Sequence, residues 1–294
     1  IIRAEGKAKF ARVAMSIPAF INILLDVIFI KFMNLGLFGA ALATAFSYFS
    51  CFLFVLWFFL YRSELKLTAK HFKFKLPIIK EISELSFVTF SRQGVVSVLA
   101  IILNHTLYTY GGEHSVAIYG IISRMLMFAV FPILGITQGF LPIAGYNHGA
   151  GNHERVRESV VLSIKYAAFL ATVIFIFILI FAKAIVAVFT TDELVIAQTP
   201  NALRWVFAAS PIIAIQLIGA AYFQAAGDAK KALLLTLSKQ GFFLIPLVLI
   251  LPNFLGIFGV WIAFPIADVL STVLTGYFLK KEMKLKMNQH TDGI

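Results

Sequence analysis

Residues Val160–Phe189 read VVLSIKYAAFLATVIFIFILIFAKAIVAVF, and this stretch decides the class of protein. Its charged side chains are Lys165 and Lys183, one toward each end. An α-helix needs about 20 predominantly apolar residues to cross the hydrocarbon core of a bilayer. Here the apolar residues are contiguous and do not follow the spacing of a soluble amphipathic helix. The stretch therefore predicts a transmembrane helix.

Comparable apolar blocks cover most of the chain. Its 294 residues are 60% hydrophobic and 13% charged, whereas soluble domains carry about 25% charged residues. The predicted fold class is an all-α, polytopic membrane protein. We predict eight spans joined by short loops: Phe10–Phe32, Leu37–Leu60, Leu85–Tyr110, Val116–Tyr146, Val160–Phe189, Ala202–Ala226, Ala232–Pro252 and Leu255–Leu279.

The formal net charge of +11 is better explained by membrane topology than by nucleic-acid binding, because no soluble domain carries a basic face. If the loops alternate between sides, 18 of the 25 Lys and Arg residues lie on one side, and Lys31 and Lys183 lie on the other. The positive-inside rule then predicts that the basic loops and the C-terminus are cytoplasmic. We expect a bacterial plasma membrane, the lipid bilayer as partner and no bound nucleic acid.

The chain divides at its longest polar stretch. We predict the end of one lobe in residues 1–60, a basic cytoplasmic linker in 61–84, a second lobe in 85–282 and a cytoplasmic tail in 283–294. Because the chain opens on Ile1 within a basic, loop-like segment, we also expect that it begins partway through a longer polypeptide.

An internal repeat ties the start of the chain to its end. EGKAKFA (Glu5–Ala11) aligns with AGDAKKA (Ala226–Ala232), and GLFGAALA (Gly36–Ala43) aligns with GIFGVWIA (Gly256–Ala263). Both copies place a basic loop before a span and a Gly-x-Phe-Gly turn after it. Secondary transporters are often built from such repeats. The six later spans then form a complete lobe, and the first two are the end of another.

Several motifs resemble one transporter family. GITQGFLPIAGYNHGAGNHERVRE (Gly135–Glu158), FQAAGDAKKALLL (Phe223–Leu235) and GIFGVWIAFPIADVL (Gly256–Leu270) are similar to the multidrug and toxic compound extrusion (MATE) family, and SRQGVVSVLAIILNHTLYTYGG (Ser91–Gly112) is similar to its MepA-type bacterial branch. The resemblance covers nearly the whole chain. It implies two six-helix lobes, of which this chain would hold spans five to twelve. It also implies export of amphipathic, often cationic compounds in exchange for Na⁺ or H⁺.

A buried carboxylate inside a membrane span is unfavourable enough that it usually has a function. Asp26 lies in the first span, and Asn22 is one helical turn earlier on the same face. Thr44, in the next span, would add a hydroxyl oxygen. The three oxygens suit a hard cation, and the carboxylate suits a proton. The family resemblance implies the same assignment for Asn22, Asp26 and Thr44, whereas a capping or helix-pairing role for Asp26 is the structural alternative.

Asp268 is the second acid inside a span, and the repeat aligns it with Tyr48 and not with Asp26. It would bind a cationic substrate or pair with a buried base. We expect the deeper cations, Arg92, Arg124 and Lys239, to face the lobe interior and to find carboxylate or amide partners, a structural role that we favour over substrate contact. The candidate substrate cavity comprises Arg92, Gln93, Arg124, Met127, Gln138, Lys239, Gln240 and Asp268.

The motif GFLPIAGYNHGAG supplies candidate gate or hinge residues, because Gly permits positive φ and close helix approach. These are Gly139, Pro142, Gly145 and Asn147, although a tight helix end explains the motif equally well. We do not expect a metal site at His148 and His153, and we expect no cofactor besides the coupling ion.

The sequence therefore predicts a secondary active exporter, monomeric, that works by alternating access. A flippase for lipid-linked sugars is the alternative within the same fold. A membrane enzyme is disfavoured because neither Gly-x-Ser-x-Gly nor His-Glu-x-x-His occurs. A purely structural scaffold would leave Asp26 unexplained.

Overall fold

The computed structural model describes residues 7–63 and 76–291, and every regular element in these ranges is helical. The chain forms two compact units, Ile1–Lys80 and Glu81–Ile294. Both are built from long apolar helices, which confirms the predicted all-α membrane class. The predicted lobe, linker and tail boundaries stay predictions, and most of the linker lies outside the described residues.

The first unit is a helical hairpin. Helix α1 spans Ala8–Asp26 and continues as a π-helical segment over Val27–Phe32, and α2 spans Gly36–Tyr61. Small buried residues of α2, Gly39, Ala43 and Ser47, recur every four positions and let the two helices approach closely. Further along the hairpin, the thiol of Cys51 donates to the carbonyl of Ala14 at 3.2 Å.

The second unit contains the remaining helices. These are α3 (Leu76–Gly149), whose first five residues are assigned to the first unit, α4 (His153–Phe189), α5 (Glu193–Val206), a 3₁₀ turn (Ser210–Ile212), α6 (Ile213–Ala225), α7 (Ala229–Leu237), a π-helical segment (Ser238–Leu244), α8 (Ile245–Ile250), α9 (Pro252–Leu255) and α10 (Ile257–Thr291).

Seven helical stretches in the described part of the chain are long and apolar enough to cross a membrane. One of them, Gln93–Gly149, has 57 residues, far more than the roughly 20 that a bilayer requires. Helix α3 breaks at Gly112, where φ is +67° and ψ is −166°. The break divides this stretch into two arms, which account for two of the eight predicted spans. Each of the other six stretches accounts for one.

The two Gly-x-Phe-Gly segments of the repeat have the same local structure. Gly36 and Gly256 have φ values of +52° and +57°. Gly36 is the first residue of α2, and Gly256 immediately precedes α10. Three residues later, Gly39 and Gly259 are buried against the end of the preceding helical segment. A side chain at Gly259 would overlap the backbone of Leu251. The repeat found in the sequence is therefore also a repeat of backbone conformation.

Two apolar clusters form the core of the second unit. The first joins both arms of α3 with α4, α5 and α10 around Leu107, Ile122 and Trp261. The second joins the later part of α3 with α4, α6 and α10 around Phe140, Ala214 and Leu279. Because these clusters fix the register of α6, α7 and α10, they position the polar groups in the unit's interior.

Candidate functional site

The structure brings together the three residues of the predicted ion site in the first unit. Asn22 and Asp26 lie on one face of α1, and Thr44 lies opposite them on α2. With its amide nitrogen toward Asp26, Asn22 donates to Asp26 Oδ2 at 3.3 Å, and its amide oxygen accepts from the Thr44 backbone N–H at 3.3 Å. In the reverse orientation Asn22 Nδ2 lies 3.4 Å from Thr44 Oγ1. The hydrogen-bond network favours the first orientation, because it alone gives the carboxylate a donor.

Asp26 has an incompletely satisfied carboxylate. Its Oδ1 atom is buried and has no hydrogen-bond partner among the described residues, and no ion pair in that part of the chain includes Asp26. The α-helix ends at Asp26 and the π-helical segment begins at Val27. Isolated π turns are frequent at functional sites because they displace the local hydrogen-bond ladder. A carboxylate oxygen here is therefore free to accept a cation or a proton.

The oxygens at this position are suited to a cation. Asp26 offers Oδ1, the amide of Asn22 can present its oxygen after rotation, and Thr44 offers Oγ1. The Thr44 hydroxyl donates its own hydrogen to the Ala40 carbonyl at 2.9 Å, which leaves the oxygen lone pairs available. Hard cations such as Na⁺ prefer carboxylate, amide and hydroxyl oxygens. The arrangement also suits a proton, since Asn22 is already within hydrogen-bond distance of the carboxylate.

The acid of the second unit has a different environment. Asp268 on α10 is 4% exposed, and its Oδ1 lies 2.6 Å from Lys239 Nζ in the second π-helical segment. Lys239 is therefore paired with a carboxylate, as we expected for a base inside a span. Arg124 has a different environment from the interior one expected, because its side chain is exposed and its guanidinium lies 6.0 Å from the Phe189 ring.

The other predicted cavity residues are not brought to one place by any described contact. Gln93, Met127 and Gln138 are exposed, and Gln240 is half-buried. The side chain of Arg92 lies outside the part of the chain that the structure describes. A common substrate cavity formed by these residues stays a prediction.

The predicted gate motif ends in a tight turn between α3 and α4. Gly139, Pro142, Gly145 and Asn147 lie in α3, and Asn147 Nδ2 donates to the Ile143 carbonyl at 2.8 Å. The positive φ of the motif, +70°, is at Gly151. Asn152 then caps α4 by accepting from the backbone N–H of Arg155 at 3.4 Å. A gate function for these residues is untested.

Three polar contacts of the second unit were not predicted. His114 Nδ1 lies 3.6 Å from Asp192 Oδ2, and the Tyr110 hydroxyl donates to Asn253 at 2.6 Å. In the first turn of α7, Lys231 pairs with Asp228 and Glu282, each at 3.0 Å. Hydrogen bonding from the Lys231 backbone N–H, then from its side chain, lowers the pKa of Asp228.

Three buried hydroxyl residues that accompany Asp268 on α10 were not predicted. Asp268, Ser271, Thr272 and Thr275 are 0 to 7% exposed. Their i, i+3, i+4, i+7 spacing would have revealed one polar helix face in an otherwise apolar span. Gln216 on α6 is 4% exposed and belongs to the same interior.

Comparison with known proteins places these features among transporters. The family described as MatE matches residues 91–250. The multidrug export protein MepA of Staphylococcus haemolyticus is 28% identical over 278 residues, covering 94% of this chain and 61% of that protein. MepA of Staphylococcus aureus is 27% identical over 297 residues, covering 99% of this chain and 65% of that protein.

Solved structures agree. A multidrug resistance MATE family transporter of the MOP superfamily in an outward-facing conformation has a TM-score of 0.87 and 26% identity, over 98% of this chain and 65% of that one. A Pyrococcus furiosus MOP superfamily transporter, for which a reversed binding-pocket polarity suggests a different function, has a TM-score of 0.86 and 27% identity, over 97% and 65%. The chain thus spans 61% and 65% of the length of the two curated relatives.

Proposed function

The chain belongs to the MATE family, and from this membership we propose that it acts in a secondary active transporter that exports amphipathic or cationic compounds in exchange for Na⁺ or H⁺. The resemblance of its motifs is confirmed by the family match. Membership also supports a multi-pass membrane protein with small-molecule substrates. Export, the coupling ion, a monomeric state, a bacterial plasma membrane and a cytoplasmic C-terminus are parts of the proposal.

One observation carries the assignment of the coupling site. Asp26 Oδ1 is buried in an apolar helical hairpin without a described partner, and an unpartnered carboxylate in the membrane interior is strongly unfavourable. Asn22, 3.3 Å from Asp26 Oδ2, and Thr44, 3.4 Å from Asn22, have the chemistry of ion ligands. A site that only joined α1 to α2 would use both carboxylate oxygens for that purpose.

In the proposed mechanism Asp26 alternates between charged and neutralised states. When it is charged, Asn22 would direct its amide nitrogen at Oδ2, in the orientation that the hydrogen-bond network favours. When Na⁺ is bound, Asp26, Asn22 and Thr44 would hold it through oxygens, which requires the Asn22 amide to rotate by half a turn. When H⁺ is bound, the carboxyl becomes a donor and the same rotation presents the amide oxygen to it. In both cases the rotation releases the amide oxygen from the Thr44 backbone.

The rotation gives ion binding a structural consequence. The Asn22 amide links α1 to the backbone of α2 in the charged state. Since a ligand shifts a conformational equilibrium only by its differential affinity for the two states, the change at Asn22 is the difference that alternating access would require. The π-helical segment Val27–Phe32 follows directly on Asp26.

The test is drug efflux from cells that express the protein. We expect Asp26→Asn to abolish efflux and its dependence on the Na⁺ or H⁺ gradient, with the variant still inserted in the membrane. Asp192→Asn is the matched control, because Asp192 is an exposed cap of α5 and Asn also caps helices. If Asp26→Asn exports drug with an unchanged ion dependence, the coupling site is assigned incorrectly.

A further inference from the structure

A set of polar side chains, most of them buried, lies in the interior of the second unit. We call it the polar seam and define it as Gln216, Ser238, Lys239, Asp268, Ser271, Thr272 and Thr275. Each except Lys239 is at least nine-tenths buried. Because helices in a bilayer gain little from burying polar groups, a seam of seven such residues needs a specific explanation.

The seam joins three helical segments. Gln216 Nε2 on α6 and Ser238 Oγ in the π-helical segment both donate to the carbonyl of Leu235, at 3.1 and 2.8 Å. Thr272 on α10 donates to the Ile212 carbonyl, next to α6, at 3.4 Å. The Lys239–Asp268 ion pair completes the connection between the π-helical segment and α10.

Asp268 Oδ1 has the Lys239 ammonium as its partner at 2.6 Å, but two other buried atoms of the seam have no described partner. Gln216 Oε1 and Thr275 Oγ1 are buried and accept no hydrogen bond from any described residue. The helices that carry them are in direct contact, since a methyl group added at Gly219 would overlap Thr275. Buried acceptors of this kind are normally satisfied by internal water. At so close a helix contact we expect water, and not an organic molecule, to satisfy these acceptors.

We propose that the polar seam is a hydrated proton-binding site, in which a proton on Asp268 replaces the Lys239 ammonium as the partner of the carboxylate. A hydronium ion in the seam gives its proton to the carboxylate and remains as water. Lys239 keeps its own proton, and no group is oxidised or reduced. The loss of the ion pair releases the π-helical segment from α10.

Among the neighbouring charged groups, Lys239 is the partner that Asp268 would lose when it takes up a proton. Of the titratable side chains on elements packed against α10, Lys239 is the one with a described ion pair to Asp268. Arg204 donates to the Leu179 carbonyl at 3.3 Å, and Lys231 pairs with Asp228 and Glu282. The remaining described titratable groups on these elements, on α3 and on α10 itself are His105, Tyr108, Tyr110, Glu113, His114, Tyr119, Arg124, Tyr146, His148, His153, Glu154, Arg155, Arg157, Glu158, Lys165, Tyr166, Lys183, Glu193, Tyr222, Lys230, Tyr277, Lys280 and Lys281.

The proposal is independent of the coupling site. The seam lies wholly in the second unit and uses none of the residues around Asp26. Asp26→Asn should therefore leave proton binding in the seam unchanged, and a variant of the seam should leave the Asp26 carboxylate unchanged. Either assignment can fail without the other.

The experiment is infrared difference spectroscopy of the purified protein in nanodiscs. As the pH is lowered, we expect a carbonyl-stretching band of a protonated carboxylic acid that Asp268→Asn removes and Asp26→Asn keeps. Lys239→Met removes the competing ammonium, so the titration midpoint of this band should rise by at least about one pH unit, a tenfold gain in proton affinity. Glu193→Gln, at an exposed position, is the control for both substitutions.

A second measurement tests hydration. After transfer to D₂O, the Asp268 band should shift within the dead time in the wild type and at least tenfold more slowly in Thr275→Val. Thr109→Val is the matched control, because Thr109 is an exposed threonine in a span of the same unit. If no Asp268-dependent band forms at any pH at which the protein is folded, the pair is a permanent structural ion pair and the proposal is wrong. An unchanged midpoint in Lys239→Met would overturn it as well, and this variant decides alone should Asp268→Asn not fold.

Discussion

The two units each bury one carboxylate in a membrane span, and the groups that surround the two carboxylates differ. Asp26 has an amide neighbour at 3.3 Å and an oxygen without a described partner. Asp268 has an ammonium at 2.6 Å. A carboxylate with a counter-ion from its own chain binds no free cation until that counter-ion leaves. The difference teaches that the charge of an acid inside a span does not define its role; its partner does.

Removing the partner of Asp268 should have the largest effect on stability. Lys239→Met leaves a buried carboxylate without its counter-charge, which typically costs about 3–5 kcal/mol. The double variant Lys239→Met/Asp268→Leu should recover most of this loss, because replacing a whole buried ion pair by apolar residues is often neutral. Thermal unfolding in detergent micelles measures both. A double variant as unstable as the single one would show that Lys239 contributes by packing and not by charge.

The second-largest loss of stability is expected where α6 and α10 approach each other closely. This contact holds the surroundings of the Lys239–Asp268 pair in register. Gly219→Ala places a methyl group against Thr275 Cγ2, and such overpacking costs about 1–3 kcal/mol. Thr275→Ser removes the colliding methyl group, so it should relieve the loss in the double variant. Gly139→Ala, in an open helical position, is the control and should be neutral or slightly stabilising. Unfolding midpoints of the four proteins decide whether the register depends on this contact.

The sequence predicts the site of the first unit better than that of the second. Asn22 and Asp26 are one α-helical turn apart, and the short connection to α2 leaves Thr44 few places to lie. Lys239 and Asp268 are far apart in sequence, and Lys239 lies in a π-helical segment. A π turn shifts every later residue around the helix relative to an α-helical count. Sequence spacing therefore suggests Asp268 as one of several partners for the buried cations and does not specify Lys239.

The spans themselves are predicted almost completely, because bilayer thickness sets their length and apolar composition marks their position. The exact position of the break in α3 is not predicted by the sequence. Two glycines, Gly111 and Gly112, mark the loop, and the structure assigns the positive φ to Gly112. Buried hydroxyls such as those of Ser238 and Ser271 are missed because single Ser and Thr residues are common in transmembrane helices, where their hydroxyls often bond to the preceding turn, as these two do.

The carboxylate that caps α7 should have a smaller and pH-dependent effect on the free energy of unfolding, in contrast to both buried acids. Asp228 accepts from the Lys231 backbone N–H at 3.0 Å and caps α7. Its pKa is lowered in the folded protein, so its contribution is full above the unfolded pKa and is lost as the pH falls through the folded pKa. Asp228→Ala should cost about 1 kcal/mol at pH 7.

Asp228→Asn is the informative comparison, because Asn keeps the cap and does not titrate. We expect it to be nearly as stable as the wild type at pH 7 and to lose less stability on acidification. Unfolding temperatures measured from neutral to acidic pH give both quantities. If the wild type and Asp228→Asn respond identically to acid, the acid sensitivity of this end of the molecule arises elsewhere.

Asp26→Asn should change stability least, and this expectation separates the two acids most sharply. The hydrogen bond lost from Asn22 is worth about 1 kcal/mol, and removing a buried charge that lacks a counter-ion offsets it. The free energy of unfolding should therefore change by less than about 1 kcal/mol. Added Na⁺, or protons if these are the coupling ion, should stabilise the wild type by about 2.7 kcal/mol at 100 times the dissociation constant and leave Asp26→Asn unaffected. A large destabilisation of Asp26→Asn would mean that Asp26 is as firmly paired as Asp268, and the contrast between the two units would then disappear.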